Sequence, residues 1–159
     1  MNGYTNDLYL SWDDLQMRCI TLAHGLLNLK KNFDVLIAVT RGGMSPASII
    51  ARELSIHHID TFCISRYNVK DVVREEIIKL PNDYTGKNVL VIDDLADKGR
   101  TLEIVRQYLP QATIATVFVK PHGKKFVDIF VEEVNQDTWV RFPWDTQRIY
   151  KAPLTDQNL

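Results

Sequence analysis

The order of its apolar segments predicts that this chain adopts an α/β fold, with a mainly parallel, twisted sheet flanked by helices. Residues 35–39 and 89–92 are continuous apolar runs rich in β-branched side chains, as strands buried on both faces require. Stripes of helical period separate such runs, and strands that alternate with helices are typical of parallel sheets. No repeat, linker or low-complexity tract interrupts the chain, so we expect one domain over residues 1–159.

The first two helices are predicted from capping residues and apolar periodicity. Ser11 and Asp14 form a capping-box pattern at the start of the first helix. Its apolar face comprises Leu15, Cys19, Leu22 and Leu26. For the second helix we expect Ser45 at the N-cap and Pro46 at the first helical position. Its apolar stripe comprises Ala47, Ile50, Ala51 and Leu54.

The later elements continue the alternation of strands and helices. Residues 61–65 and 114–119 are predicted strands, and a third helix is expected to end at Pro110. The apolar side of that helix comprises Leu102, Val105 and Leu109. A more exposed strand is indicated by alternation of apolar and other residues at Val127, Ile129 and Val131.

Two stretches are predicted to lack regular helices. Residues 66–87 are polar and weakly patterned, and a connection of that length is usually a mobile functional loop or a small hairpin. Residues 135–159 are aromatic, contain prolines and show no periodicity, so we expect irregular structure there. Trp12 and Trp144 are expected to anchor the core, the usual role of a tryptophan outside a binding site.

Composition excludes several classes of function. The net charge is −1, and residues 120–125 hold only three lysines, so we expect no nucleic-acid partner. The longest apolar run is far too short to span a membrane, and the first residues lack the apolar region of a signal peptide. Cys19 and Cys63 lie in apolar patterns and suit free, buried thiols in a reducing compartment. We therefore expect a cytoplasmic location.

The segment that carries most chemistry begins where a predicted strand ends. Asp93 and Asp94 follow the strand, at the edge where open α/β sheets bind ligands. Residues 97–101 then lead into a helix, whose free N–H groups favour a phosphate, while Gly99 allows close backbone approach and Thr101 offers a hydroxyl. A sugar phosphate would suit both the aspartates and the anion-binding loop. The carboxylates would accept hydrogen bonds from ribose hydroxyls, and the loop would bind the phosphate. Mg²⁺ suits the same place, since it prefers oxygen ligands and substrate phosphates.

The alternative for the two aspartates is purely structural. An isolated Asp-Asp pair after a strand more often forms a turn and a helix cap than a binding site. Here the pair is followed by a complete loop with Gly99 and Thr101 before the next helix. The whole string therefore favours the phosphate site over the cap.

Several motifs in order resemble the type I phosphoribosyltransferases, and within them the enzymes that act on 6-oxopurines. The resemblance covers residues 10–153 without a large insertion. It rests on Ser11-Trp12-Asp13-Asp14-Leu15-Gln16, Ala38-Val39-Thr40-Arg41-Gly42-Gly43, Val91-Ile92-Asp93-Asp94, Lys120-Pro121 and Gln136-Asp137-Thr138-Trp139. It implies that family's fold with a small hood, and transfer of ribose 5-phosphate from phosphoribosyl pyrophosphate to guanine, xanthine or hypoxanthine.

The resemblance implies a set of residues that bind phosphoribosyl pyrophosphate. Arg41 and Gly42 match the pyrophosphate loop, where the family commonly holds a non-proline cis peptide. Arg74 matches a second arginine, whose alternative is a solvated charge. Asp93 would contact the ribose hydroxyls and Asp94 would be associated with Mg²⁺. The remaining contacts would come from Leu95, Ala96, Asp97, Lys98, Gly99, Arg100 and Thr101.

The resemblance also implies the residues that recognise the purine. Asp97 would face the imidazole edge and exchange the N7 proton, as a general acid–base. Lys120 would donate to the 6-oxo group, which favours an oxopurine over adenine because an amino group does not accept. Its alternative is a lysine that extends along a strand end to solvent. Trp139 would stack on the base, and the backbone of Val140 would meet its exocyclic position.

Two departures from the family pattern keep other functions open. Lys98 stands where a small hydroxyl residue is usual, and Arg100 replaces a small residue. These changes leave a non-catalytic, nucleotide-sensing regulatory module as an alternative from another class. If the chain is an enzyme, the alternative is the same reaction with a different acceptor, either hypoxanthine as the preferred base or a pyrimidine. A homotetramer and peripheral association with the inner membrane are implied by resemblance alone, and no amphipathic helix or basic cluster supports the latter.

Overall fold

The computed structural model describes residues 5–69 and 72–145, and among them the side chains of 66–69 and 72–74 are left out of the description. Three α-helices lie in these ranges: α1 (Trp12–Asn28), α2 (Met44–Glu53) and α3 (Arg100–Tyr108). The strands are β1 (Asn6–Tyr9), β2 (Val35–Thr40), β3 (Ile59–Val69), β4 (Val72–Lys79), β5 (Val89–Ala96), β6 (Thr113–Val119), β7 (Ile129–Glu133) and β8 (Thr138–Arg141). Short 3-10 turns occupy Lys124–Phe126 and Pro143–Asp145.

Within the described ranges, six strands form the main sheet in the order β4-β3-β2-β5-β6-β7. All neighbours are parallel except β3 and β4, which form an antiparallel hairpin. The chain runs outward from β2 through β3 to β4 and then returns to place β5 on the other side of β2. Strand order therefore reverses between β2 and β5, and such a reversal opens a crevice at the carboxyl ends of the two strands.

The main sheet is buried on both faces, as its continuous apolar strands predict. Leu36 and Ala38 of β2 join a core cluster with α1 and α2, whereas Val35, Ile37 and Val39 face a second cluster that includes Leu102 and Val105 of α3. The alternation follows from the period of two residues in a strand. The predicted mainly parallel sheet flanked by helices is confirmed.

Helix α1 begins as the sequence predicts. Ser11 is the N-cap: its hydroxyl accepts the Asp14 backbone N–H at 3.0 Å, and the Asp14 carboxylate accepts the Ser11 N–H at 2.9 Å. The expected face, Leu15, Cys19, Leu22 and Leu26, is fully buried. Burial raises the pKa of Cys19 to about 12, so this thiol stays protonated at neutral pH. Cys63 is also free but only half-buried.

Helix α2 begins earlier than predicted. Its first residue is Met44 and its N-cap is Gly43, with no side-chain capping bond, so the assignment of Ser45 and Pro46 to the N-cap and first position is wrong. The helix turns directly out of β2, where the Gly43 N–H donates to the Val39 carbonyl at 2.8 Å. Pro46 is tolerated at the third position because the first N–H groups of a helix have no intrahelical partner.

The long polar connection forms a hairpin, which confirms one of its two predicted forms. Strand β3 extends beyond residues 61–65, and β4 pairs back on it with Cys63 opposite Lys79. At its base, one carboxylate joins several elements: Asp60 accepts hydrogen bonds from Lys79 Nζ at 2.6 Å, from the Asn82 N–H at 2.9 Å and from Tyr84 Oη at 2.9 Å. We call these residues the Asp60 cluster.

The segment expected to be irregular contains a strand. Strands β1 and β8 pair in parallel, with Leu8 opposite Val140, and form a second, two-stranded sheet that we call the small sheet. The prediction of irregular structure is therefore wrong for Thr138–Arg141, and residues 146–159 lie outside the described ranges.

The core roles expected for two tryptophans are also wrong. Trp12 is 55% exposed and Trp144 is 38% exposed, and their ring centroids lie 6.1 Å apart. Among the described helices, none is long and apolar enough to cross a membrane.

Candidate active site

The predicted site residues gather at the carboxyl ends of β2, β5 and β6. Asp93 and Asp94 lie inside β5, which continues to Ala96 rather than ending at residue 92. Arg41 and Gly42 follow β2, and Lys120 follows β6. Because β5 is flanked by β2 and β6, these three groups share the crevice where the strand order reverses.

Residues 97–101, here named the phosphate loop, form one side of a cavity of about 230 Å³. Gly99 is the N-cap of α3 and has φ of 76°, and a Cβ at this position would overlap the ring of Phe126. Both features require glycine. Thr101 lies in the first turn of the helix, and Lys98 and Arg100 are exposed beside it. A helix start with free N–H groups and two nearby cations suits an anion.

Asp93 and Asp94 form a buried acid pair beside this loop. Asp93 is only 8% exposed. Burial and the neighbouring charge of Asp94 raise the pKa of Asp93 well above its usual range. Burial also raises the pKa of Asp94 to about 6, although hydrogen bonds from Asp93 and from the Leu95 N–H at 2.7 Å oppose the shift. The ionised pair is costly without a partner, so these oxygens suit a cation or sugar hydroxyls.

The loop after β2 contacts the acid pair directly. The Thr40–Arg41 peptide is cis, as the resemblance implied. Gly42 packs against the Asp94 carboxylate so closely that a Cβ would overlap it. A second cavity of about 990 Å³ opens here and shares Thr40, Ile64 and Asp94 with the first. The predicted pyrophosphate loop and the predicted sugar-phosphate segment therefore line adjoining cavities.

A buried lysine contacts Asp97, the first residue of the phosphate loop. Lys120 is 1% exposed, and its Nζ lies 3.2 Å from Oδ1 of Asp97. The Lys120 backbone N–H donates to the Ala96 carbonyl at 3.0 Å, which fixes the end of β6 against the end of β5. Burial of a lysine side chain is costly unless a partner offsets its lost solvation, and the Asp97 carboxylate is such a partner. The alternative of a lysine extending to solvent is wrong, because the side chain is enclosed.

The remaining predicted residues differ in their burial and in the elements that carry them. Trp139 on β8 is 37% exposed, whereas the side chain of Val140 is buried in the core. Arg74 pairs with Tyr67 in the hairpin, but its side chain lies outside the described part of the chain. Leu95 is half-buried and Ala96 is buried at the base of the phosphate-loop cavity.

Several residues at the site are not predicted by the sequence patterns. Gln136 donates from Nε2 to Oδ1 of Asp97 at 2.8 Å. Its only sequence signal is its place in the motif that ends at Trp139, and that motif does not by itself indicate a role for Gln136. Glu75 and Ile64 line the phosphate-loop cavity, and Trp144 and Asp145 line the larger one. These four come from hairpin and tail positions that local patterns do not connect to β5.

A further cavity of about 390 Å³ lies at the opposite, amino-terminal edge of the sheet. Residues 80–87 and 108–112 line it with Val89. It is larger than the phosphate-loop cavity, but the acid pair, Arg41 and Lys120 all lie at the other edge. Fold and site thus define an α/β protein with its candidate ligand site at the carboxyl ends of the parallel strands of the main sheet.

Comparison with known proteins gives the family. Residues 6–151 match the phosphoribosyl transferase domain, so the chain belongs to the phosphoribosyltransferase family. It is 51% identical to a xanthine-guanine phosphoribosyltransferase from Desulfotalea psychrophila, over 95% of this chain and 94% of that protein. A protein of the same name from Chromohalobacter salexigens is 41% identical, over 99% of this chain and 95% of that one.

Solved structures of this family share the fold. A purine phosphoribosyltransferase from Pyrococcus horikoshii superposes with a TM-score of 0.80 at 27% identity, covering 93% of this chain and all of that one. A xanthine-guanine-hypoxanthine phosphoribosyltransferase from Helicobacter pylori has a TM-score of 0.72 at 19% identity, covering 89% of this chain and 95% of that one, and shows the fold alone. The expected type I phosphoribosyltransferase fold is confirmed.

Proposed function

We propose that this chain is a purine salvage enzyme that transfers ribose 5-phosphate from phosphoribosyl pyrophosphate to guanine, xanthine or hypoxanthine. The products are the nucleoside monophosphate and pyrophosphate. The observation that carries the proposal is the contact between the buried Lys120 and Asp97, the first residue of the phosphate loop. The relatives named xanthine-guanine phosphoribosyltransferase support it. Neither the relatives nor the described residues favour the non-catalytic regulatory alternative.

The phosphate half of the site suits the donor substrate. The N-terminus of α3 and the phosphate loop would hold the 5′-phosphate through backbone N–H groups and the Thr101 hydroxyl. Asp93 and Asp94 would accept hydrogen bonds from ribose hydroxyls. Arg41 is exposed beside Gly42 at the larger cavity and would bind the diphosphate.

The acid pair also suits Mg²⁺. Burial raises the pKa of both carboxyls, and a bound cation would offset that cost. Mg²⁺ usually takes one or two carboxylates together with substrate phosphates, so Asp94 with Asp93 beside it matches its needs. When bound, the ion would supply positive charge that stabilises the leaving diphosphate.

The base half of the site suits a 6-oxopurine. Lys120 offers a donor and Asp97 an acceptor side by side, which complements a purine with a 6-oxo group next to a protonated N7. Trp139 would stack on the base, and the Val140 backbone would meet its exocyclic group. Adenine presents an amino group where Lys120 needs an acceptor, so it is disfavoured.

The proposed reaction exchanges one bond at C1′ for another. The bond from C1′ to the diphosphate oxygen breaks, and a bond from C1′ to purine N9 forms on the opposite face. The sugar passes through an oxocarbenium-like state, as in glycoside cleavage. Asp97 takes the N7 proton as the base becomes attached, and the Arg41 loop stabilises the departing diphosphate.

Pyrophosphate release tests this function. We expect release with guanine, xanthine or hypoxanthine in the presence of Mg²⁺, little release with adenine or uracil, and loss of release when the metal is chelated. Competition among the three oxopurines then ranks them, and preferred use of a pyrimidine would reassign the acceptor. No release with any base would overturn the proposal in favour of a binding module.

Assembly and location complete the proposal. We propose a homotetramer, because the resemblance to the family implies one, and a cytoplasmic location, because the composition predicts it. Light scattering on the purified protein at micromolar concentration measures the mass, and a stable monomer would contradict the tetramer.

A further inference from the structure

Gln136 joins three loops at the base half of the site. Its side-chain nitrogen donates to Oδ1 of Asp97, in the loop after β5, at 2.8 Å. Its side-chain oxygen accepts the backbone N–H of His122, in the loop after β6, at 3.1 Å. Gln136 itself belongs to the turn before β8, where the Thr138 N–H donates to the Asn135 carbonyl at 3.1 Å. One amide group therefore connects two strand ends of the main sheet to the small sheet.

The two hydrogen bonds determine which way the amide faces. Only the NH₂ group can donate to a carboxylate, and only the carbonyl oxygen can accept from a backbone N–H. The reverse orientation would set the amide oxygen against the Asp97 carboxylate. Because Gln136 does not ionise, it directs this donor at Asp97 at every pH. Oδ1 of Asp97 then receives Gln136 Nε2 at 2.8 Å and lies 3.2 Å from Lys120 Nζ.

Both contacts fall on the same oxygen of Asp97, so together they fix the plane of the carboxylate. A group that exchanges a proton must lie within hydrogen-bond reach in the correct direction. Lys120 alone would orient the Asp97 carboxylate poorly, since an ammonium is a compact charge with rotatable donors. The amide adds direction, and its second bond anchors it to the His122 backbone.

We infer that Gln136 is a positioning residue that holds Asp97 in its proton-exchanging orientation and couples it to the segment carrying Trp139. The inference rests on the proposed function, because it gives Gln136 a role in purine transfer. Its effect passes through Asp97 and does not require contact with the substrate. Within the phosphate loop only Asp97 takes part in the contacts just described; residues 98–101 do not.

The test compares two substitutions with a matched control. Gln136→Met keeps the length of the side chain but removes both hydrogen bonds. Gln136→Glu keeps an acceptor for the His122 N–H but replaces the donor to Asp97 with a second carboxylate. Gln107→Met makes the same chemical change on an exposed position of α3. Each protein is assayed for kcat, for KM with both substrates, for the pH dependence of kcat/KM, and for thermal unfolding.

Gln136→Met is expected to lower kcat about tenfold to a hundredfold, because misplacing a reacting group by roughly 1 Å has an effect of that order. KM for phosphoribosyl pyrophosphate should stay within about twofold, since binding of the donor is untouched. Gln136→Glu should in addition move the acidic limb of the pH profile to higher pH. A negative charge beside Asp97 favours its protonated form, which does not accept a proton. Gln107→Met should match the wild type.

Other outcomes overturn the inference. Wild-type kcat and an unmoved acidic limb in both Gln136 variants would remove the residue from the mechanism. A fall in kcat that only parallels a lower unfolding temperature, with no change in the pH limb, would assign Gln136 to stability instead. If the wild type itself releases no pyrophosphate with any purine, the proposed function fails, and the wild-type assay identifies that case before the variants are compared.

Discussion

The centre of the main sheet and the small sheet are held in different ways. Every residue of β6 and nearly every residue of β2 is buried, between helices on both faces. In β1 most residues are exposed, and in β8 buried and more exposed residues alternate. The small sheet nevertheless packs on the α1–α2 side of the core through Val140 and the half-buried Leu8, joined by Phe142 directly after β8.

This contrast divides the proposed site into two halves. The acid pair and the phosphate loop extend from β5, which is enclosed by the core. The base half combines Lys120 from β6 with Gln136 and Trp139 from the more exposed segment around β8. We therefore expect substitution of Trp139 to act mainly on base binding, and substitution of Gln136 to act on kcat through its contact with Asp97.

Asp97→Asn should have the largest effect, because Asp97 would exchange the proton of the base and connects the phosphate loop to Lys120. We expect kcat to fall about 10²- to 10⁴-fold, the usual contribution of a general acid–base. KM for phosphoribosyl pyrophosphate should change little, since the phosphate contacts remain. Steady-state pyrophosphate release measures both. Asp13→Asn, on the exposed start of α1, is the control, and an unchanged kcat in Asp97→Asn would remove Asp97 from the mechanism.

A pair of core truncations compares the stability of the two sheets. Ile37→Ala, at a fully buried position of β2, should lower the free energy of unfolding by about 2–5 kcal/mol. Leu8→Ala on β1 should cost about half as much, because Leu8 is only half-buried and its site relaxes more readily. Urea unfolding followed by circular dichroism gives both values. Equal losses would contradict the distinction between an enclosed and an exposed sheet.

Trp139→Leu tests the base half alone. Stacking of a base on an aromatic side chain contributes about 1–3 kcal/mol, so KM for guanine should rise roughly fivefold to a hundredfold. KM for phosphoribosyl pyrophosphate and the unfolding temperature should stay near wild-type values, because Trp139 is partly exposed. Trp12→Leu is the matched control at another exposed tryptophan. Equal changes in both variants would argue against stacking at position 139.

The smallest effect is expected at the Asp60 cluster, away from both halves. Burial alone would raise the pKa of Asp60, but hydrogen bonds from Lys79, Asn82, Thr61 and Tyr84 outweigh it and leave the pKa well below its usual value. A carboxyl with a depressed folded-state pKa stabilises the fold above its unfolded pKa of about 3.9. That contribution is lost as the pH falls through the folded-state pKa.

Asp60→Asn should therefore be less stable than wild type at pH 7, and the difference should shrink as the pH is lowered into the strongly acidic range. Urea midpoints of the two proteins across pH measure this, with Asp13→Asn as the control for an exposed aspartate. A difference that stays constant with pH would show that the Asp60 charge does not contribute.

The sequence predicted the centre of the fold better than its margins for physical reasons. Strands β2, β5 and β6 are continuous apolar runs because both faces are covered, and such runs are visible in a single sequence. Strands β1 and β8 have four residues each and pair only through a contact between the two ends of the described chain. A four-residue pattern carries too little periodicity to be recognised alone.

The site follows the same division. Asp93, Asp94 and Gly99 lie in one short segment that can be recognised from the sequence, and all three line the same cavity in the structure. The contact between Asp97 and Lys120 depends on the parallel register of β5 and β6, which spacing along the chain does not encode. The bond from Gln136 depends in addition on where the turn before β8 lies. Sequence motifs suggested these residues, and only tertiary structure brings them into contact.

The contact between the enclosed Lys120 and the partly exposed Asp97 has a consequence for ionic strength. As a unit the pair is close to neutral and its lysine is enclosed, so dissolved salt screens it weakly. The cations Arg41, Lys98 and Arg100 are exposed, and the Debye length at 0.1 M is only about 10 Å. Added salt should therefore weaken binding of the charged sugar donor while the affinity for the uncharged base stays nearly constant. Ionic strength would then change the affinity for one substrate without changing the affinity for the other.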